Sequence, residues 1–307
     1  MNNKIGWLMG VALSLIVVWV ATSWYASEQF LSIGVRDYVE ADETELLASL
    51  NIDGLVRESV AISNSEVLLA GSFFPHPSSS TCAVILLPGI GGDRTQVLPI
   101  LPMFRELNCH VLAYDPRGTG ASTRTPRTFG YFEKTDNAVA VRWLMDRTQL
   151  PAHAIGIWGP SFGAAVGLLT LDEVDPLGFV IADSTFDTFD RVAHDTISLL
   201  AGSLIADLIT PATLLLLEAR TGMQTDRVRP IDAVVNTTTP ILLIHALADP
   251  AMHVSHSQNI KATGAGNVAL EITDWGAGHA NSALVDPVQY TDLVRRFLVG
   301  RIPAQTP

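Results

Sequence analysis

The chain has 307 residues, 48% of them hydrophobic and only 16% charged, with a formal net charge of −12. Length alone allows one large domain or about two with a full core, and an acidic balance with no basic block excludes nucleic acid as a partner. Two Cys, 23 Gly, 17 Pro and no low-complexity run exclude the disulfide-dense, collagenous and disordered classes.

A mean hydropathy of +0.30 is high for a wholly soluble protein, and the N-terminus explains part of it. Residues 5–27 carry no charge, and the run IGWLMGVALSLIVVWVATSWYA supplies roughly 22 mostly apolar residues, enough to cross about 30 Å of hydrocarbon as a helix. A cleaved signal peptide is the alternative, with Ala21 and Ser23 as small residues at the cut. Such peptides, however, have apolar regions of only about 7 to 15 residues. Trp19, Trp24 and Tyr25 lie near the far end, where amphipathic rings settle at a membrane interface. Residues 1–27 therefore read as an uncleaved transmembrane signal anchor. Lys4 and the α-amino group precede the run, and Glu28, Asp37, Glu40, Asp42, Glu43 and Glu45 follow it. The positive-inside rule then puts the N-terminus in the cytoplasm and the body on the other side. Residues 28–53, mixed in charge and poor in strand signals, read as a partly helical stalk.

The body is expected over 54–303. Residues 56–63 and 66–74, parted by a short turn at Asn64, read as an antiparallel hairpin. The apolar run CAVILLP at 82–88 reads as a strand buried on both faces, with a helix at about 96–107 behind it. The alternation continues with a strand at 109–115, a helix at 135–148, a strand at 154–158, a helix at 161–171 and a strand at 178–183. Between 184 and 239 it breaks into ISLLAGSLIADLI and PATLLLLEAR, read as a helical cap, because Asp207 and Pro211 interrupt the run too early for a second membrane span. Strands at 241–246 and 269–273 and helices at 255–263 and 286–298 complete the series. About eight strands alternating with helices imply an α/β fold with a mostly parallel sheet covered on both faces.

Gly159-Pro160-Ser161-Phe162-Gly163 fits G-x-S-x-G, and it stands between a strand and a helix, where a sharp turn exposes a serine hydroxyl. Neutral serine is a poor nucleophile and needs a base oriented by a carboxylate. In this arrangement the chain order is serine, acid, histidine. Of the late histidines, His279 sits in the glycine-rich context Gly276-Ala277-Gly278-His279-Ala280 after the last strand, free to reach the elbow. His245 falls inside a buried strand, and His253 and His256 read as loop and helix-start residues. Asp249 follows the strand before His279 and is the preferred acid; Asp183, ending the preceding strand, is the competing one. The oxyanion donors are expected from the backbone N–H of Phe162 and from Ile90 N–H in the loop Pro88-Gly89-Ile90-Gly91-Gly92.

Together these residues resemble the α/β-hydrolase superfamily, roughly from 56 to 298. Asp115-Pro116-Arg117-Gly118-Thr119-Gly120-Ala121-Ser122 is similar to the family's D-x-R-G-x-G-x-S turn, and Pro88-Gly89-Ile90-Gly91-Gly92 to its H-G-x-G-G oxyanion loop. Arg117 and Asp115 are expected to tie the first of these turns together. Pro88 stands where the family commonly has histidine, and Ala246 where its H-G-x-x-D segment has glycine. Both alter the pocket's shape without removing a catalytic group. The pattern is most like small-cap, membrane-tethered bacterial hydrolases of the esterase, thioesterase and serine aminopeptidase type. The resemblance also implies that the strands beginning at Cys82 and Cys109 lie side by side, about 5 Å apart, within the reach of a disulfide; two buried unpaired cysteines are the alternative.

The expectation is a membrane-anchored serine hydrolase that cleaves a small-molecule carboxylic ester or thioester through an acyl-enzyme. Ser161 attacks, His279 moves the proton, Asp249 orients the imidazole, and the amides of Ile90 and Phe162 hold the oxyanion. The apolar cap suggests an acyl-chain pocket. No metal or cofactor is expected, since neither clustered metal-ligand spacing nor a phosphate-binding glycine pattern is present. A serine peptidase or amidase of the same fold is the alternative within the class, and a non-catalytic membrane-tethered binding protein the alternative outside it. The oligomeric state has no signature in the sequence.

Overall fold

The computed structural model describes residues 2–34, 36–264 and 266–302, so Met1 and the expected domain end at 303 lie outside the described residues. In chain order the strands are β1 (Glu58–Asn64), β2 (Val67–Phe74), β3 (Cys82–Leu86), β4 (Cys109–Tyr114), β5 (Ile155–Pro160), β6 (Phe179–Asp183), β7 (Ile241–Ala246) and β8 (Val268–Thr273). They form one sheet in the order β1-β2-β4-β3-β5-β6-β7-β8. The β1/β2 and β2/β4 pairs are antiparallel and all others parallel. Strands β3, β5, β6 and β7 are buried at every residue, which is why their sequences are continuous apolar runs. The edge strand β1 alternates instead, because one of its faces meets water.

The helices are α1 (Asn2–Ser32), α2 (Glu40–Ser49), α3 (Leu101–Glu106), α4 (Glu133–Thr148), α5 (Phe162–Leu169), α6 (Phe189–Ala201), α7 (Ser203–Thr221), α8 (Pro230–Ala233), α9 (Ser255–Thr263), α10 (Ser282–Val285) and α11 (Pro287–Leu298). Alternate residues of β3 serve opposite layers: Ile85 packs with Val141 of α4 and Leu168 of α5, while Val84 and Leu86 pack with Phe104 of α3 and Val294 of α11. The helix expected at about 96–107 is divided. A 3-10 stretch, Arg94–Ile100, contains Pro99 and precedes α3, because proline has no N–H for an α-ladder. Asp286 caps α11 rather than opening it, accepting from Gln289 N at 2.9 Å ahead of Pro287.

Of the helices between β6 and β7, α8 packs on α5 and α9 in the sheet's helical layer, and α6 and α7 pair with each other as a hairpin in the stretch expected to be a cap. The root of the hairpin is held by Asp187, which bonds His256 Nδ1 at 2.6 Å and accepts from Asn259 Nδ2 at 2.7 Å and Arg191 Nη1 at 2.6 Å. Burial pushes the Asp187 carboxyl up, but these donors outweigh it and hold it well below the usual range. Helix α7 runs through Pro211. In the turn before it the Trp19 indole N–H donates to Leu208 O at 2.9 Å.

Helix α1 is the one helix among the described residues long and apolar enough to cross a membrane. It continues five residues past its expected end at 27, to Ser32, and Ser23, Ser27 and Phe30 are buried. Residues 28–53, read as a stalk, lie against the body rather than standing clear of it. Leu46, Leu47, Leu50 and Ile52 pack on the α3/α11 layer, and the buried Glu43 carboxylate pairs with Arg57 at 2.7 Å. That apolar side and the ion pair hold the segment to the body while its other side faces water.

Cys82 and Cys109 are direct partners in the β3/β4 register and are joined as a disulfide, their Cα atoms 4.8 Å apart. They lie 27 residues apart in the chain, so the bond should contribute about 3 kcal/mol by restricting the unfolded state. Urea melts of the oxidised chain and of the Cys82→Ser/Cys109→Ser variant should differ by about that amount.

Candidate active site

Three β-strand ends and one loop build the site. The backbone after β5 turns so sharply that Ser161 has φ +50°, a conformation side chains other than glycine rarely adopt. The glycines around it have a steric origin. A Cβ on Gly159 would stand 2.6 Å from the Gly163 carbonyl carbon, and one on Gly163 would stand 2.4 Å from Leu87 O. Ser161 N donates to Asp183 O at 2.7 Å, which fixes the elbow to β6.

His279 Nε2 lies 2.8 Å from Ser161 Oγ, and His279 Nδ1 lies 2.7 Å from Asp249 Oδ2. The Asp249 side chain is buried, and its other oxygen accepts from the amides of Ala251 at 2.9 Å and Met252 at 2.8 Å. Burial raises its proton affinity, but the hydrogen bond and charge of His279, with those two amides, outweigh it and hold Asp249 below the usual carboxylate range. The carboxylate is thus ionised and aimed at the imidazole. His245 is buried in β7 and bonds Ser257 Oγ and Met252 O, both at 2.8 Å, with its proton affinity lowered by burial. It supports the Asp249 turn and does not reach the serine.

Ile90 lines the same cavity of about 300 Å³ as Ser161 and His279. Phe162 opens α5, so its N–H belongs to the first helical turn, whose donors have no acceptor within the helix. Gln96 shapes the loop between them, its Oε1 accepting from Gly89 N at 2.8 Å. Asp115 ties its own turn as expected, its Oδ2 accepting from Ala121 N at 2.8 Å, whereas Arg117 ties the turn to α4 instead. Asp115 is held by Arg94, Nη2 to Oδ2 at 2.7 Å, while Arg117 binds Asp136 at 2.5 and 2.7 Å. The sheet order sets Arg94, at the head of the 3-10 turn, directly over the end of β4, and Arg117 points away toward α4.

Asp183, the competing acid, makes no hydrogen bond to His279. It belongs to a buried chain in which Trp158 Nε1 donates to Tyr290 Oη at 3.0 Å, Tyr290 bonds Asp183, and Ser184 Oγ donates to Asp183 Oδ1 at 3.0 Å. Ser184 Oγ in turn accepts from Ala280 N at 3.2 Å, so this chain grips the histidine loop one residue past His279. Burial pushes the Asp183 carboxyl up to about 6, against the hydrogen bonds of Ser184 and Tyr290 and the nearby His279, which lower it. A raised folded value means that the carboxyl's contribution to stability is full below its unfolded value and is lost as pH rises through about 6. The wild-type unfolding midpoint should therefore fall between about pH 4 and pH 6, and Asp183→Asn should flatten that fall. Equal slopes in both proteins would remove Asp183 as the cause. Gln96, Ser184 and Tyr290 carry no signal in the sequence, since each meets its partner across a chain crossing rather than within a motif.

A family model of the alpha/beta hydrolase fold matches residues 83–193. The uncharacterised protein YqkD of Bacillus subtilis is 30% identical over 232 residues, spanning 73% of this chain and 72% of the Bacillus protein. Among solved structures, the Pyrococcus furiosus esterase Pf2001 superposes with a TM-score of 0.69 at 23% identity, over 88% of this chain and 98% of the esterase. The Pyrococcus horikoshii acylaminoacyl peptidase superposes with a TM-score of 0.64 at 16% identity, over 85% of this chain and 44% of the peptidase. At those identities the two enzymes share the fold.

Proposed function

The chain belongs to the α/β-hydrolase superfamily, and from that premise we propose that it is a membrane-anchored serine hydrolase cleaving carboxylic esters or thioesters through an acyl-enzyme. The observation that carries this reading is the bridge formed by His279, 2.8 Å from the Ser161 hydroxyl and 2.7 Å from the Asp249 carboxylate. In the proposed cycle Ser161 Oγ attacks the carbonyl as His279 Nε2 takes its proton, and Asp249 holds the imidazole and balances its charge. The amides of Ile90 and Phe162 receive the oxyanion. His279 then returns the proton to the leaving group and activates water against the acyl-enzyme.

The cavity favours an ester over a peptide with a free amino terminus. Apart from His279 its lining has no ionisable side chain, and Ile90, Pro99, Trp158 and Leu284 make it largely apolar. A buried α-ammonium would need a carboxylate partner there. One feature supports placing the body outside the cytoplasm: the Cys82–Cys109 bond, which persists in oxidising compartments.

Fluorophosphonate labelling of the full chain tests the reading: the wild type should label, and Ser161→Ala should not. A panel of p-nitrophenyl esters of increasing chain length, beside aminoacyl anilides, should show turnover of the esters first.

A further inference from the structure

The cap hairpin has no charged residue between Asp195 and Asp207, and its turn at Gly202 leaves Leu199, Leu200, Leu204, Ile205 and Leu208 exposed. Leu204 is 80% and Leu200 78% exposed. Clustered apolar exposure of this kind marks a contact surface, and the register of α7 against α1 says what it contacts. Trp19 Nε1 donates to Leu208 O at 2.9 Å, Thr213 Oγ1 to Ser23 O at 3.5 Å, and Arg220 Nη1 to Ser27 Oγ at 2.8 Å. The two helices therefore run side by side in the same direction. The five residues from Leu208 back to Ser203, at about 1.5 Å per residue, carry the hairpin tip about 7 Å beyond Trp19. That level is near Ser14 and Leu15 of α1, where Leu13, Leu15, Ile16 and Val18 are all exposed.

We propose that the tip of the α6–α7 hairpin lies in the hydrocarbon of the bilayer beside α1, so that the protein meets the membrane through two elements. The depth agrees with the about 5 to 10 Å typical of elements that lie in a membrane interface. The first charges met on leaving the tip are Asp195 and the pair His194 Nε2–Asp207 Oδ1 at 2.9 Å. By the same register Asp207 falls at the level of Trp19, a ring suited to the headgroup region. The part of α1 in hydrocarbon therefore ends near Trp19 and not at 27 as the apolar run suggests, the rest of the helix lying against α7. The groove between α1 and the hairpin, about 600 Å³ and lined by Tyr25, Ala26, Phe30, Ile197, Leu200 and Ile209, continues the same apolar face.

The proposal rests on the reading of α1 as a membrane span, and the experiment separates the two. The full-length chain, whose two native cysteines are bonded to each other, is labelled with a nitroxide at one introduced cysteine and reconstituted in nanodiscs. Leu15→Cys reports α1, Leu204→Cys and Leu200→Cys report the tip, and Val288→Cys on α11 is the water reference. Collision with oxygen relative to a water-soluble nickel chelate should be several-fold higher at 15, 200 and 204 than at 288. Lipid exposure at 15 with water exposure at 200 and 204 overturns the hairpin proposal alone. Water exposure at 15 overturns the span and the proposal with it. Screening of 200 and 204 from both reagents means a protein partner or a second copy covers the tip, and also overturns it.

Discussion

Ser161→Ala is expected to lower kcat on an activated ester by about 10⁴- to 10⁶-fold, and His279→Ala to cost nearly as much by itself. Combining the two should cost little more, because a nucleophile and its base act as one unit, and removing either already disables the proton transfer. The geometry motivates the comparison: a single imidazole lies 2.8 Å from the hydroxyl and 2.7 Å from the carboxylate, so no other base is in place to substitute. Asp249→Asn tests the third member. It keeps the shape, but an amide turned toward the ring meets Nδ1 with the wrong hydrogen-bond pattern, and a loss of about 10⁴-fold is expected. Steady-state kinetics on purified variants with unchanged melting temperatures reads all of these. Additive losses in the double variant, or near-normal turnover by Ser161→Ala, would refute the proposed chemistry.

Gly163→Ala should cost both stability and turnover. Its new Cβ would lie 2.4 Å from Leu87 O and 2.7 Å from Pro88 O, backbone atoms at the end of β3 that cannot rotate away. Either α5 tilts or residues 87 to 90 shift, and the second carries the Ile90 amide away from its proposed place in the oxyanion hole. Overpacking of this kind is expected to cost about 3 kcal/mol, and misplacing one oxyanion donor about 10²- to 10³-fold in kcat. Gly167→Ala is the comparison, because its Cβ meets Ile157 Cγ2 at 3.0 Å, which asks a shift of only a few tenths of an ångström, and alanine favours the helix over glycine. Chemical denaturation and kinetics of the two variants should separate clearly, with Gly167→Ala mild in both. Equal behaviour would mean that the elbow has more room than the distances allow.

Much of the scaffold is legible in the order of the residues alone. Strands β3, β5, β6 and β7 are buried on both faces, so each appears as an unbroken apolar run, and α9 begins and ends where its pattern does. The elbow is legible because its local backbone demand, a positive φ at Ser161 with no room beside it, leaves glycines at fixed spacing. Less legible are features that depend on two distant segments meeting. Asp115 pairs with Arg94 and not Arg117, since sheet order decides which guanidinium stands over β4. Residues 28–53 look like a tether by charge, yet Leu46, Leu47 and Leu50 find an apolar layer to cover.

Periodicity, burial and local backbone strain are properties of neighbours in sequence, and they determined the parallel sheet, the helical insertion between β6 and β7, the apolar N-terminal helix and the short set of candidate residues. Polar partnership is decided in three dimensions. The tertiary structure alone paired Asp115 with Arg94, threaded Trp158, Tyr290, Asp183 and Ser184 into the support of the histidine loop, and laid α1 along α7. A buried donor takes whichever acceptor the packed chain brings to it, and packing joins residues that the linear order keeps far apart.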